Sequence, residues 1–233
     1  MSSAQRHETS CRSGFPADPR IERQIDVDVA IAIGSWQEFE RLASRLERRR
    51  SHQHTFLVLG HEVDVVPYGR IEAVDQTIMW PNDYRMNVLG LQEAFDSAEV
   101  ASLPGNVLVR VPSVAAQAVL KLMAWRDRHD VDRRDAIDLG TIINWYSEDP
   151  FVDELYEDSA DLLAAHHWDT ALAGAERLGR HMAGLISGDS LQTLRATVED
   201  DAILERLARD VGGSFAYDLE RVSALRSGLN GAK

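Results

Sequence analysis

The chain has 233 residues, 44% of them hydrophobic and 27% charged, with ordinary glycine and proline content, which is the profile of a folded protein with a packed core. A formal net charge of −13 excludes a general nucleic-acid coat, which needs a basic footprint. No run reaches the ~20 apolar residues that span a bilayer.

There is one cysteine, Cys11, so no intramolecular disulfide is available and a reducing compartment is expected. The first twenty residues hold no apolar signal core, so the cytoplasm is the expected location. Residues 1–20 are polar and carry Pro16 and Pro19, which reads as a flexible lead-in. From Ile25 to Ile33, β-branched residues alternate with Asp26, Asp28, Ala30 and Ala32, the period of a half-buried strand over about 24–33. Its apolar stripe is expected to face a core. Two aspartates at i and i+2 lie roughly 6–7 Å apart on a strand. Held that close they repel unless water or a cation relieves them.

Gly34 breaks the strand. Ser35 and Glu38 then form a capping box for a helix to about Arg49, with Phe39, Leu42, Ala43 and Leu46 on one stripe. The basic run Arg45–Arg50 is expected at the solvated end of that helix, where cations suit the dipole. Residues 55–59 and 62–67 flank Gly60-His61 and read as a hairpin whose second arm carries Asp64 opposite Val63 and Val65. Residues 68–85 read as a long loop containing Tyr68, Trp80 and Pro81, whose two rings could stack on a base or fill a core. A short helix over 89–95 and a second hairpin around Pro104-Gly105-Asn106 follow.

Ser113 caps a helix over about 114–128 that is apolar nearly all round, and in that setting Lys121 stands out. Asp132 caps the next helix, about 133–146, where Asp135 and Asp138 share a face and Arg134 can reach Asp138. Beyond Pro150 helices are expected over about 152–166, 169–186, 191–198 and 202–211, with Gly212-Gly213 and the tail from Gly228 as terminators. His166 and His167, adjacent on a helix, point apart and do not read as a metal site. The fold class is α+β, a small mixed or antiparallel sheet flanked by helices. The domain expectation is a lead-in over 1–20, an α+β domain over 21–147 and a helical C-terminal domain over 148–233.

Asp26, Asp28 and Asp64 lie on two strands and face away from the apolar stripes. If those strands are neighbours, three oxygen ligands converge, as a two-metal site for in-line displacement at phosphorus requires. At this point the chain resembles a known family. Asp26-Val27-Asp28-Val29, the following helix and hairpin, and Val63-Asp64-Val65-Val66-Pro67-Tyr68-Gly69 are similar to the nucleotidyltransferases of the polymerase-β superfamily, and most of all to the AbiEii-type toxin group and its bacterial relatives. Val119–Trp125 is similar to that group's buried-lysine motif, and Arg134-Asp135-Ala136-Ile137-Asp138-Leu139 to its Arg/Lys-Asp-x-x-Asp-Leu motif. The resemblance spans about 14–146.

The resemblance implies a nucleotidyltransferase-type sheet. It also implies Mg2+- or Mn2+-dependent transfer of a nucleoside monophosphate from an NTP to a hydroxyl on protein, RNA or a small molecule, in a toxin–antitoxin or defence system with a cognate antitoxin or other partner. It implies that Asp26, Asp28 and Asp64 bind metal and carry catalysis, with Asp64 as base. Lys121 would neutralise phosphate charge, and Arg134, Asp135 and Asp138 would support the nucleotide. The family also places a Gly-Ser or Gly-Gly/Thr turn at a helix start upstream of its Asp-x-Asp, where backbone amides grip the triphosphate. Here only Ser13-Gly14 stands upstream, in a proline-containing context. Two other readings stay open: a catalytically silent member that binds a partner through its helical half, and a metal-dependent phosphohydrolase built on the same carboxylates.

Overall fold

The computed structural model describes residues 27–49 and 53–231. The lead-in, Ser13-Gly14 and Asp26 fall outside them. The fold is α+β, and the described residues divide into two compact units, the first ending at Val29 and resuming over Glu40–Val66, the second formed by Ala30–Phe39 and the residues from Pro67 onward. Strand β1 (Val27–Ile33), helix α1 (Trp36–Ala43) and strand β4 (His61–Gly69) each cross from one unit to the other. A four-stranded sheet has the order β1-β4-β3-β2, where β2 is Glu47–Arg48 and β3 is Thr55–Val58.

In the first unit β3 pairs antiparallel with both β2 and β4. The β3–β4 turn is closed by Leu59 and Gly60, with φ of 52° and 84°, the two left-handed residues of a mirror-type hairpin turn. That turn sets the register Val58↔His61, and counting back along the arms puts Thr55 across from Asp64. Phe56, Thr55 and Val65 are buried.

Two expectations fail here. Helix α1 stops at Ala43, not near Arg49: Ser44 to Leu46 make a tight turn, and Glu47 and Arg48 pair with Leu57 and Phe56 as an edge strand. The basic run is therefore not a solvated helix end. Arg48 pairs with Glu40 and lies over the Phe56 ring, and Arg49 pairs with Glu62. Tertiary pairing of the backbone outweighs the few tenths of a kcal/mol that helix propensity offers per residue. The apolar stripe of β1 also starts in the open. Val27 and Val29 are 51% and 43% exposed, as befits the edge strand of its sheet, and only Ile33 is buried.

In the second unit the N-terminus of α1 is capped as expected, with one shift. Ser35 Oγ accepts from the Glu38 amide at 3.3 Å, but the Glu38 carboxylate reaches back to the Gly34 amide. Trp36, Phe39 and Trp80 form a ring cluster with centroids 5.2–5.9 Å apart. The expected long loop over 68–85 is structured at both ends. Tyr68 belongs to β4, and β5 (Thr77–Met79) pairs antiparallel with β6 (Arg85–Asn87) around Trp80–Tyr84. Such short strands carry too few alternations to be seen as a period. Tyr68 and Trp80 are core residues, 1% and 2% exposed. Gly69, at φ 102°, ends β4 where Arg70 N donates to Ile33 O, so the ends of β1 and β4 meet.

Helix α2 (Leu91–Asp96) leads to a hairpin of β7 (Glu99–Leu103) and β8 (Val107–Val111). Helix α3 (Val114–Arg128) is capped by Ser113 Oγ, which accepts from Ala116 N. Helix α4 (Arg134–Trp145) starts one residue later than Asp132 would set as N-cap; Asp132 instead accepts from the Arg134 amide. The expected helix over 152–166 is two, α5 (Phe151–Asp158) and α6 (Ala160–Ala165), broken at Ser159. Helices α7 (Thr170–Leu185), α8 (Gly188–Thr197) and α9 (Asp201–Val211) fall close to expectation, and Gly212 ends α9 at φ 89°.

The last helix, α10 (Phe215–Gly231), runs through Gly228, which had read as a terminator. It packs along α7, and a Cβ at Gly228 would lie 2.0 Å from Glu176 O, while one at Gly179 would lie 2.1 Å from Leu225 O. One apolar cluster unites α3, α4 and α7 to α10, with Leu122, Trp125, Leu139, Leu178, Leu207 and Leu225 fully buried. Residues from both sides of 147 belong to it. Among the described residues no helix is long and apolar enough to cross a membrane.

Candidate functional site

In the first unit Asp28 lies on β1 and Asp64 on β4, and these strands are neighbours in the sheet. Asp28 is exposed and Asp64 half-buried. The hairpin register brings Thr55 Oγ1 to Asp64 Oδ1, to which it donates at 2.5 Å. His54 Nε2 stands 3.7 Å from the other oxygen, Oδ2, beyond hydrogen-bonding distance. Asp26, the third expected carboxylate, lies outside the described residues. Among the described residues no group of three His, Cys, Asp or Glu is gathered tightly enough to hold a metal ion. The donors present are carboxylate oxygens, and oxygen donors suit a hard divalent cation such as Mg2+.

In the second unit α3 and α4 pack side by side and bring Lys121, Asp135 and Asp138 together. Lys121 Nζ donates to Asp138 Oδ2 at 2.6 Å and lies 3.6 Å from Asp135 Oδ1. Asp135 is 2% exposed and is gripped by Arg128, whose Nε and a terminal nitrogen donate to its two oxygens at 2.5 and 2.8 Å. That fork holds the Arg128 guanidinium above its ordinary range, against the opposing effect of burial.

Arg134 does not join this set. It pairs with Asp132 at 2.7–2.8 Å, not with Asp138 as expected. The Asp132 carboxyl sits below its usual range chiefly through the Arg134 side chain and then its amide. The aspartate at the helix start is nearer than the one a turn ahead, and it meets both the backbone and the side chain of Arg134.

Two residues went unread in the sequence. Arg128 follows Lys121 by seven on α3, the spacing that returns to the same helix face. Counting back from the expected Gly60-His61 turn would set Leu57 opposite Asp64; the turn falls one residue earlier, at Leu59-Gly60, and that shift brings Thr55 to Asp64 instead. His166, one of the adjacent histidines, meets Glu176 with Nε2 at 2.7 Å. A hollow of about 380 Å3 is lined by Trp36, Ile71, Glu72, Asp75, Met79 and Arg85 among others. Its polar rim is engaged internally: Glu72 accepts from the Gly69 amide, and Asp75 meets Thr77 and Arg85.

Comparison with protein-family models, with curated proteins and with solved structures finds no match to this chain.

Proposed function

We propose that the chain is a metal-dependent nucleotidyltransferase-like protein, related to the AbiEii-type group of the polymerase-β superfamily. It would move a nucleoside monophosphate from an NTP to a hydroxyl acceptor. The observation that carries this reading is the position of Asp28 and Asp64 on neighbouring strands, with Asp64 steadied by Thr55. Asp26, Asp28 and Asp64 would hold Mg2+ or Mn2+, which neutralises phosphate charge and acidifies the acceptor hydroxyl. The acceptor oxygen attacks the α-phosphorus, its proton passes to Asp64, and pyrophosphate leaves. The resemblance would also have Lys121, Arg134, Asp135 and Asp138 serve the nucleotide; with Asp135 buried against Arg128 and Arg134 turned to Asp132, Lys121 and Asp138 are the members of that set left for such a role. We take the compartment to be the cytoplasm and the setting a toxin–antitoxin or defence system.

Isothermal titration of the full chain with Mg2+ and each NTP, beside Asp28→Ala, tests the site. Binding by the parent chain and at least tenfold weaker binding by the variant is expected, in line with the loss of a charged ligand. Equal binding by both would overturn it.

A second reading, a catalytically silent relative that binds a partner through its helices, draws on the state of Lys121, already neutralised by Asp138. Incorporation of labelled NMP into any acceptor would exclude it.

A further inference from the structure

We propose that Thr55 is a positioning residue that decides how Asp64 presents itself to a divalent cation, and with it which cation the carboxylate prefers. The inference rests on the carboxylate reading above and goes one residue beyond it.

The geometry is specific. Thr55 and Asp64 are directly opposed in the β3–β4 ladder, and Thr55 is buried. Its hydroxyl donates to Asp64 Oδ1 at 2.5 Å, at the short end of the range for O–H···O bonds. The β-branched Thr side chain has few rotamers, so the donor is fixed before any ion arrives. On the strand backbone the same register is locked by Val65 N donating to His54 O at 2.8 Å. With Oδ1 held by Thr55, Oδ2, which His54 Nε2 faces at 3.7 Å, is the oxygen through which an incoming ion would bind.

A carboxylate with one oxygen engaged binds an ion through the other alone. That mode suits Mg2+ and Mn2+, which take near-octahedral, single-oxygen carboxylate ligands. It disfavours Ca2+, which readily takes both oxygens of one carboxylate at longer distance. Without the hydroxyl, Asp64 can rotate and offer both oxygens. Thr55 thus acts through Asp64, as hydrogen-bond partners behind metal ligands commonly do, and loss of such a partner costs about 10–100-fold in metal affinity.

The test uses the full chain and Mn2+ as probe, followed by electron paramagnetic resonance of the free ion, with Ca2+ as competitor. Wild type, Thr55→Val, Thr55→Ala, Thr55→Ser and Asp64→Asn are compared, with a thermal unfolding curve for each. The expected result is a fall in Mn2+ affinity of about tenfold or more in Thr55→Val and Thr55→Ala. The advantage of Mn2+ over Ca2+ narrows in both, and Thr55→Ser, which keeps the hydroxyl, retains most of the affinity. If Thr55→Val does not fold, Thr55→Ala against Thr55→Ser decides the matter. Unchanged affinity and unchanged Ca2+ competition in the hydroxyl-free variants would overturn the role of Thr55 while leaving the carboxylate site standing. Failure of the parent chain to bind Mn2+, or equal binding by Asp64→Asn, would overturn the carboxylate reading and this inference with it.

Discussion

Arg128 and Arg134 each hold an aspartate, yet the two pairs differ in what their loss exposes. Arg134 and Asp132 meet at the surface, where an ion pair contributes about 0–1 kcal/mol. Arg128 meets Asp135, a carboxylate almost fully removed from water, with only Lys121 at 3.6 Å to share the burden. Arg128→Ala is therefore expected to cost on the order of 2–3 kcal/mol in urea unfolding, because it strands a buried charge. Arg134→Ala should cost well under 1 kcal/mol. Similar losses in both would mean that Asp135 is held by Lys121 alone.

A second residue-scale prediction concerns acid. Tyr146 Oη and His181 Nδ1 lie 3.0 Å apart. Burial, with Glu154 adding to it and Arg177 opposing, pushes the Tyr146 hydroxyl up to about 12, so it keeps its proton and donates. The hydroxyl can donate to Nδ1 only while the imidazole is neutral. Burial and the Arg177 guanidinium hold His181 below its ordinary 6.5, while Glu154 opposes. A base with a lowered folded pKa contributes its stability above the unfolded pKa and loses it as the pH falls below that value. Stability should thus be flat above about pH 6.5 and decline below it, and His181→Gln should shallow that decline. An identical pH profile for the variant would remove His181 from the account.

At the scale of elements, the crossing of α7 and α10 depends on glycines that are there for closeness rather than for backbone freedom. Gly179→Ala or Gly228→Ala drives a methyl into the facing backbone and should lower stability by about 2–3 kcal/mol through forced separation of the helices. Gly184, also on α7, faces open space, so Gly184→Ala should gain roughly 0.5–1 kcal/mol from helix propensity. Thermal melts of the three variants check the contrast, and a Gly228→Ala as stable as the parent would mean the helices can part without cost.

The same glycines explain which parts of the fold could be read in advance. Gly60 and Gly212 announce a turn and a helix end, and both do so at positive φ. Gly228 looks the same in the sequence but serves a helix on the far side of a contact that no local pattern records. Helix α10 was missed for that reason, and α1 was drawn too long because the partners of Glu47 and Arg48 lie ten and eight residues away on β3. In the site, the apolar run of α3 singled out Lys121 and helical spacing put Asp135 and Asp138 on one face, but their meeting was not legible, because it depends on α3 packing against α4. The partner of Arg134 was not legible, since two aspartates stood within its reach and only the helix start decided between them.

For the molecule as a whole, the formal charge of −13 sets the response to salt. Self-repulsion in a chain so acidic is screened over about 8–10 Å at physiological ionic strength, so moderate NaCl should raise the melting temperature. Mg2+ at matched ionic strength separates screening from binding: a ligand that binds only the native state at a hundred times its Kd adds about 2.7 kcal/mol. Extra stabilisation by Mg2+ that Asp28→Ala loses would support the carboxylate site. Equal effects of the two salts in both proteins would reduce magnesium to a screening ion here.

The α7–α10 contact also has a consequence in time. Gly179 cannot meet its partners until Leu225 and Gly228 have been synthesised, and translation at roughly 5–20 residues per second puts seconds between them. Through that interval the apolar faces of α3, α4 and α7 have been made while the helix that seals them has not. Nascent chains halted before residue 215 should therefore be protease-sensitive across these helices and should recruit holdase chaperones. Release of the finished chain should end both behaviours together.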